Sequence, residues 1–103
     1  MKDVEITVLK KAYYQDLSAA YENPLEEGCV MREGKVFLSK EAQLPHGFCE
    51  NAWATLFPFV RALALGEEGL YDGWMKDPST LILSCNDGVR PVSFFASRSE
   101  VRV

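Results

Sequence analysis

The sequence predicts an α+β fold, one domain in the order β-α-β-α-β-β, with a long helix packed on a mixed or antiparallel sheet. Three observations carry that prediction. Segments with a period of two stand near both ends of the chain. A single long segment in the middle repeats its apolar residues at steps of three and four. The last two strand-like segments are joined by a short loop, where a parallel α/β chain would place a crossover helix. The 103 residues suit one domain, and no repeat, low-complexity run or linker divides them.

Val4 to Leu9 alternates, with Val4, Ile6 and Val8 on one face and Glu5 and Thr7 on the other. That is a strand with one buried side, ended by Lys10 and Lys11. Asp16 to Tyr21 reads as a short helix, with Asp16 as N-cap and Leu17, Ala20 and Tyr21 at helical spacing. Asn23-Pro24 stops it, because proline cannot extend the helical ladder. Glu26-Glu27-Gly28 leads to Cys29, Gly34 marks a turn, and Lys35 to Ser39 reads as the second strand.

The strongest helical signal runs from about Phe48 to Leu65. Cys49, Trp53, Leu56, Phe57, Val60, Leu63 and Ala64 form its apolar stripe, and Gly66 sits at the left-handed C-terminal position. Pro58 lies inside the stripe and predicts a kink, or a break into two short helices. Glu67 to Ser79 reads as a loop anchored by Leu70, Tyr71 and Trp74, with burial the expected fate of the tryptophan. Asp72 to Met75 offers a lid or rim. Thr80 to Cys85 and Pro91 to Ser97 form a hairpin around Asn86-Asp87-Gly88, with a five-residue loop. Strand continues in the tail toward Val101 and Val103. Tyr13, Tyr14, Phe94 and Phe95 read as core and sheet residues.

Composition narrows the function. Fifteen acidic residues outnumber eleven scattered Lys and Arg, for a net charge of −4. That balance argues against nucleic acid and against an anionic membrane surface, both of which require concentrated basic charge. The longest apolar stretch, Trp53 to Leu65, is too short for a membrane span and contains Pro58 and Arg61. Met1 to Glu5 carries no apolar signal region, so a cytoplasmic location with reduced thiols is expected. The three cysteines are an odd number, which suits free thiols or a site better than a disulfide framework. Phosphate-binding loops, dinucleotide turns, H-E-x-x-H and G-x-S-x-G are all absent.

The cysteines are therefore the candidate chemistry. Cys49 stands at the predicted N-terminus of the long helix, where unpaired amides and the helix dipole favour a thiolate. His46 is close in sequence and is the candidate base or cationic neighbour. Cys49 also lies on the apolar stripe, and free cysteine is among the most buried residue types, so plain packing is the leading account of it. Cys85 ends a buried strand and opens a loop containing Asp87 and Arg90, with Arg90 offering a fixed fork of donors to an anion. The bland reading there is a hairpin loop with solvated charges. Cys29, Cys49 and Cys85 together are a possible metal set with His46 as a fourth ligand. They lack the close Cys-x-x-Cys spacing by which zinc sites usually announce themselves.

The phrases Gly47-Phe48-Cys49-Glu50-Asn51-Ala52-Trp53, Leu56-Phe57-Pro58-Phe59-Val60, Trp74-Met75-Lys76-Asp77 and Cys85-Asn86-Asp87-Gly88-Val89-Arg90-Pro91-Val92 resemble a family of small uncharacterised bacterial and archaeal proteins. Val4 to Lys10 and Gly34 to Phe37 extend the resemblance over nearly the whole chain. It implies a small α+β domain in a prokaryote, with a cysteine recurring at the positions of Cys29, Cys49 and Cys85. Two departures stand out: the family usually has proline where this chain has Asn86, and often where it has Val30. The resemblance carries no settled activity.

Three functions follow as expectations. The first is a binding module for a small anionic or soft ligand, a metal ion included, at a cysteine-lined site. The second is a thiol enzyme or redox protein using Cys49. The third is a structural subunit of a homo-oligomer whose cysteines only pack, with apolar surface around Tyr13, Tyr14 and Phe95 buried between copies. No cofactor is specified.

Overall fold

The structure, a computed structural model, describes residues 1–24 and 29–99. Its elements are β1 (Val4–Lys11), α1 (Gln15–Tyr21), β2 (Val36–Ser39), α2 (Glu50–Ala64), β3 (Thr80–Ser84) and β4 (Val92–Arg98). The expected α+β order is present. The four strands form one sheet in the order β2-β1-β4-β3, and every pair is antiparallel. The expected lead-in Glu26 to Gly28 and the strand-like tail to Val103 lie outside the described residues.

Alternation sets the layers. Val4, Ile6 and Val8 of β1 point to one face with Phe37, Leu81, Leu83, Val92, Phe94 and Ala96, all buried. Helix α2 covers this face with Ala52, Leu56, Val60, Leu63 and Ala64. The opposite face has no helix over it among the described elements. β1 is longer than the alternation suggests because a bulge inserts Leu9 between Val8 and Lys10, and pairing then resumes with Lys10↔Ser93 and Lys11↔Val92. The extra residue brings Lys10 to the uncovered face. Lys11 falls on the helix side, where its Nζ donates to the Cys29 carbonyl at 2.9 Å.

Both ends of α2 have physical explanations. Phe48 precedes the N-cap Cys49, and its ring meets that of Trp53, four positions into the helix, at 6.0 Å. This is a hydrophobic staple, which fixes the angle at which the chain enters the helix. Phe48 also contacts Phe37 and Phe94, at 5.0 and 5.3 Å between ring centres, so the staple is tied to the sheet. At the other end Gly66, at φ +95°, donates to Leu63 O, and Glu67 donates to Ala62 O. This bond pair is the Schellman closure, and the positive φ is why glycine stands there. Arg98 adds a cap from the sheet, its Nη1 donating to the carbonyls of Leu63 and Glu67 at 2.9 Å each.

Several local expectations are corrected. Helix α2 is one helix through Pro58, so the expected alternative of a break into two short helices does not occur. Pro58 and Ala54 are both exposed, so the Ala54 carbonyl that proline leaves unpaired has access to water. Asp16 is not the N-cap of α1. Tyr14 is, because its N–H is held by Val89 O at 2.8 Å and its carbonyl accepts from Leu17 and Ser18. Trp74 is 81% exposed, with the Tyr71 ring centre 6.1 Å from its own. Tyr13 and Tyr14 are exposed, and α1 contributes no buried residue. The β3–β4 ladder closes at Ser84↔Ser93, leaving seven residues between the strands. β2 begins at Val36, one residue later than expected.

Candidate functional site

The fold brings three distant segments to one place. The N-terminus of α2, the end of β3 with its following loop, and the segment that begins at Cys29 enclose a cavity of about 350 Å³. Cys29, Cys49 and Cys85 all line it, with Met31 as a fourth sulfur. Ala52, Val92 and Phe94 provide apolar wall, and Asn51, Asn86, Asp87 and Arg90 the polar part. All three cysteines are free and half-buried. Pockets for small molecules usually run from about 300 to 1,000 Å³, so this one suits a small ligand.

Each cysteine is positioned differently. Cys49 is the N-cap of α2 and makes no side-chain capping bond, so its sulfur is not spent on the helix amides. The amides of the first turn have no carbonyl four residues back to receive them, and two of that turn's residues, Asn51 and Ala52, line the cavity. Cys85 follows β3, and its sulfur accepts the Val92 N–H at 3.2 Å while facing Arg90 O at 3.9 Å. Cys29 is held by Lys11 at its carbonyl. The Asn86 amide donates to Asn51 O at 3.1 Å and so clips the β3–β4 loop to the start of α2, next to both Cys49 and Cys85.

The charged groups form a closed set. Arg90 donates from Nη1 and Nη2 to the two carboxylate oxygens of Glu22, each at 2.9 Å, and its Nε lies 3.5 Å from Asp87 Oδ2. Asp87 Oδ1 accepts the amides of Val89 and Arg90 at 2.8 and 2.9 Å. These bonds hold both carboxyls below their usual range: the Arg90 guanidinium acts on Glu22, and the Arg90 and Val89 amides act on Asp87. The same Glu22 bond raises Arg90. Glu22, directly after α1, thus straps that helix to the loop beside the cavity.

Two sequence expectations change here. His46 does not line the cysteine cavity. It is exposed and lines a neighbouring groove with Arg32, Lys35, Phe37 and Gly47, which meets the cavity at Val30 and Met31. The reason is Gly47, whose φ of +78° turns the chain between His46 and Cys49. Arg90 and Asp87 do line the cavity, but their charges are engaged with each other and with Glu22. No spacing could reveal Glu22, which lies 68 residues from Arg90. Among the described residues, no group of three or more His, Cys, Asp or Glu side chains is arranged to hold a metal ion, and no helix is long and apolar enough to cross a membrane.

Comparison of the chain with protein families, curated proteins and solved structures finds no match.

Proposed function

We propose that this chain binds a small, soft, largely apolar molecule in the cysteine cavity, with the thiols as its recognition groups. The observation that supports this is the meeting of Cys29, Cys49 and Cys85, from three separate segments, on one cavity with Met31. Four sulfur-bearing residues around one cavity favour polarisable, thiophilic groups over hard oxygen-rich ones. An anion is the weaker candidate, because the Arg90 guanidinium already has two carboxylate partners. A molecule is favoured over a bare metal ion, because no ligand group of three is assembled among the described residues.

A second reading, a thiol enzyme or redox protein, rests on Cys49 alone: half-buried, on the cavity, at a helix N-terminus and free of a capping bond. It proceeds without His46.

The test is native-state alkylation with a bulky maleimide, resolved by residue with mass spectrometry, with and without a chelator. The binding reading expects one cysteine to label first and its adduct to slow the other two, because all three open on the same space. Equal and independent labelling of all three, or silence until unfolding, defeats it. Labelling only after chelation would replace the molecule with a metal ion. Rapid labelling of Cys49 well below the ordinary thiol pKa of about 8.5 would favour the enzyme reading.

A further inference from the structure

The sheet face turned away from α2 carries a self-complementary pattern, and we propose that it is a homodimer interface, with a second copy of this chain packed on it face to face. One row of residues crosses all four strands on this face. Val36 pairs with Thr7, Thr7 with Phe95, and Phe95 with Ile82. Val36 is 52% exposed and Ile82 46% exposed, while Phe95 is half-buried. Leu38, 41% exposed, extends the apolar surface on β2. Isolated apolar residues on a surface are ordinary, but apolar side chains on three of the four strands of one row, joined through the Thr7 methyl, mark a contact face.

Charge identifies the occupant. Two charged residues of β1 lie on this face, one on each side of the row. Glu5 stands level with Ser97, two positions before Phe95 pairs with Thr7. Lys10 stands level with Ser93, two positions to the other side. The bulge at Leu9 creates this symmetry, because without the extra residue Lys10 would face the helix side. Neither Glu5 nor Lys10 has an ion-pair partner among the described residues.

A two-fold axis along the apolar row reverses the strand direction of the second copy. It sets Phe95 against Phe95 and places Glu5 of each copy over Lys10 of the other. Packed sheets lie about 10 Å apart, a gap that a lysine and a glutamate reaching toward each other can span. Ser93 and Ser97, small and flanking Phe95, permit that approach. A foreign partner would have no reason to require opposite charges at equal distances from the row, whereas a two-fold contact does. Four strands at about 4.8 Å spacing and about five residues at about 3.4 Å rise give a footprint of roughly 300–400 Å² per copy. Over both copies that is about 600–800 Å², below the roughly 1,200 Å² at which stable specific interfaces begin, so the dimer is a weak, concentration-dependent equilibrium.

The test is sedimentation velocity over about a hundredfold range of concentration, on the full chain and on three variants: Glu5→Lys, Lys10→Glu and the double exchange. The expected mass rises from 11.6 kDa toward twice that value. Each single reversal weakens dimerisation by at least about tenfold, because like charges then meet across the axis. The double exchange restores it, and so does mixing the two single variants, since each supplies the charge the other lacks. Restoration on mixing also shows that the single variants are folded. A chain that stays monomeric throughout overturns the proposal, as does a dimer indifferent to both reversals. Single reversals that neither the exchange nor the mixture rescues overturn it as well.

Discussion

Cys85 shows how one residue joins structure and site. Its sulfur receives the Val92 amide at 3.2 Å, so the thiol substitutes for a missing carbonyl where the hairpin ladder opens into the loop. The neighbouring Glu22–Arg90–Asp87 set then closes that loop against α1. Glu22 is held below the usual carboxyl range by Arg90, so the unfolded chain binds its proton more readily than the folded one. The stabilisation from this contact is therefore present above the ordinary glutamate pKa of about 4.3 and is lost as pH falls through the lowered folded value. Glu22→Gln should reduce the melting temperature near neutral pH, and the difference from the wild type should shrink on acidification through that window. Thermal melts at a series of pH values measure this, and a gap independent of pH would mean that the strap contributes nothing electrostatic. The site was partly legible at this scale. Cys29, Cys49, Cys85, Asp87 and Arg90 could be named from their surroundings in the chain, whereas Glu22 and Met31 owe their place in or beside the site to the path of the backbone.

Among the elements, α2 governs the site. Its staple through Phe48 and Trp53 and its closure at Gly66 fix both ends, so Cys49 is delivered to the cavity by a rigid element. Both devices depend on residues close in sequence, which is why the stripe and the glycine stop could be read in advance. Pro58 is a local conflict that tertiary packing overrides, since the buried side of the helix outweighs one missing hydrogen bond on the exposed side. Pro58→Ala should therefore stabilise the protein, by about 1–3 kcal/mol given the cost of proline inside a helix, as read by urea denaturation. No gain would mean that the helix needs the proline's geometry. The short helix α1 is the reverse case: with no buried side chain, it is fixed by Tyr14 N–H on Val89 O and by Glu22 on Arg90. Its N-cap was misread because a distant carbonyl, and not the Asp16 side chain, decides where the turn begins.

Across the whole molecule, Phe94 is the residue shared by core and cavity. It is fully buried between sheet and helix, touches Phe48, and lines the cysteine space. Phe94→Ala should cost about 3–5 kcal/mol, the range for removing a buried aromatic ring. It should also abolish the mutual shielding of the three thiols, measured by denaturation and by maleimide labelling respectively. A loss of stability with the shielding intact would separate the cavity from the core. The sequence by itself determined the α+β class, the number and order of the elements, the buried face of β1, the extent of α2 and the three sulfur positions. Those depend on local periodicity and on residues within a turn of one another. Only the tertiary structure decided the strand order β2-β1-β4-β3, the meeting of the three cysteines, the exclusion of His46, the pairing of Glu22 with Arg90, and the register that sets Glu5 and Lys10 on either side of one apolar row. Each of these is a relation between residues far apart in the chain. It is fixed by which strands pair and by where a single bulge falls, and alternation is blind to both.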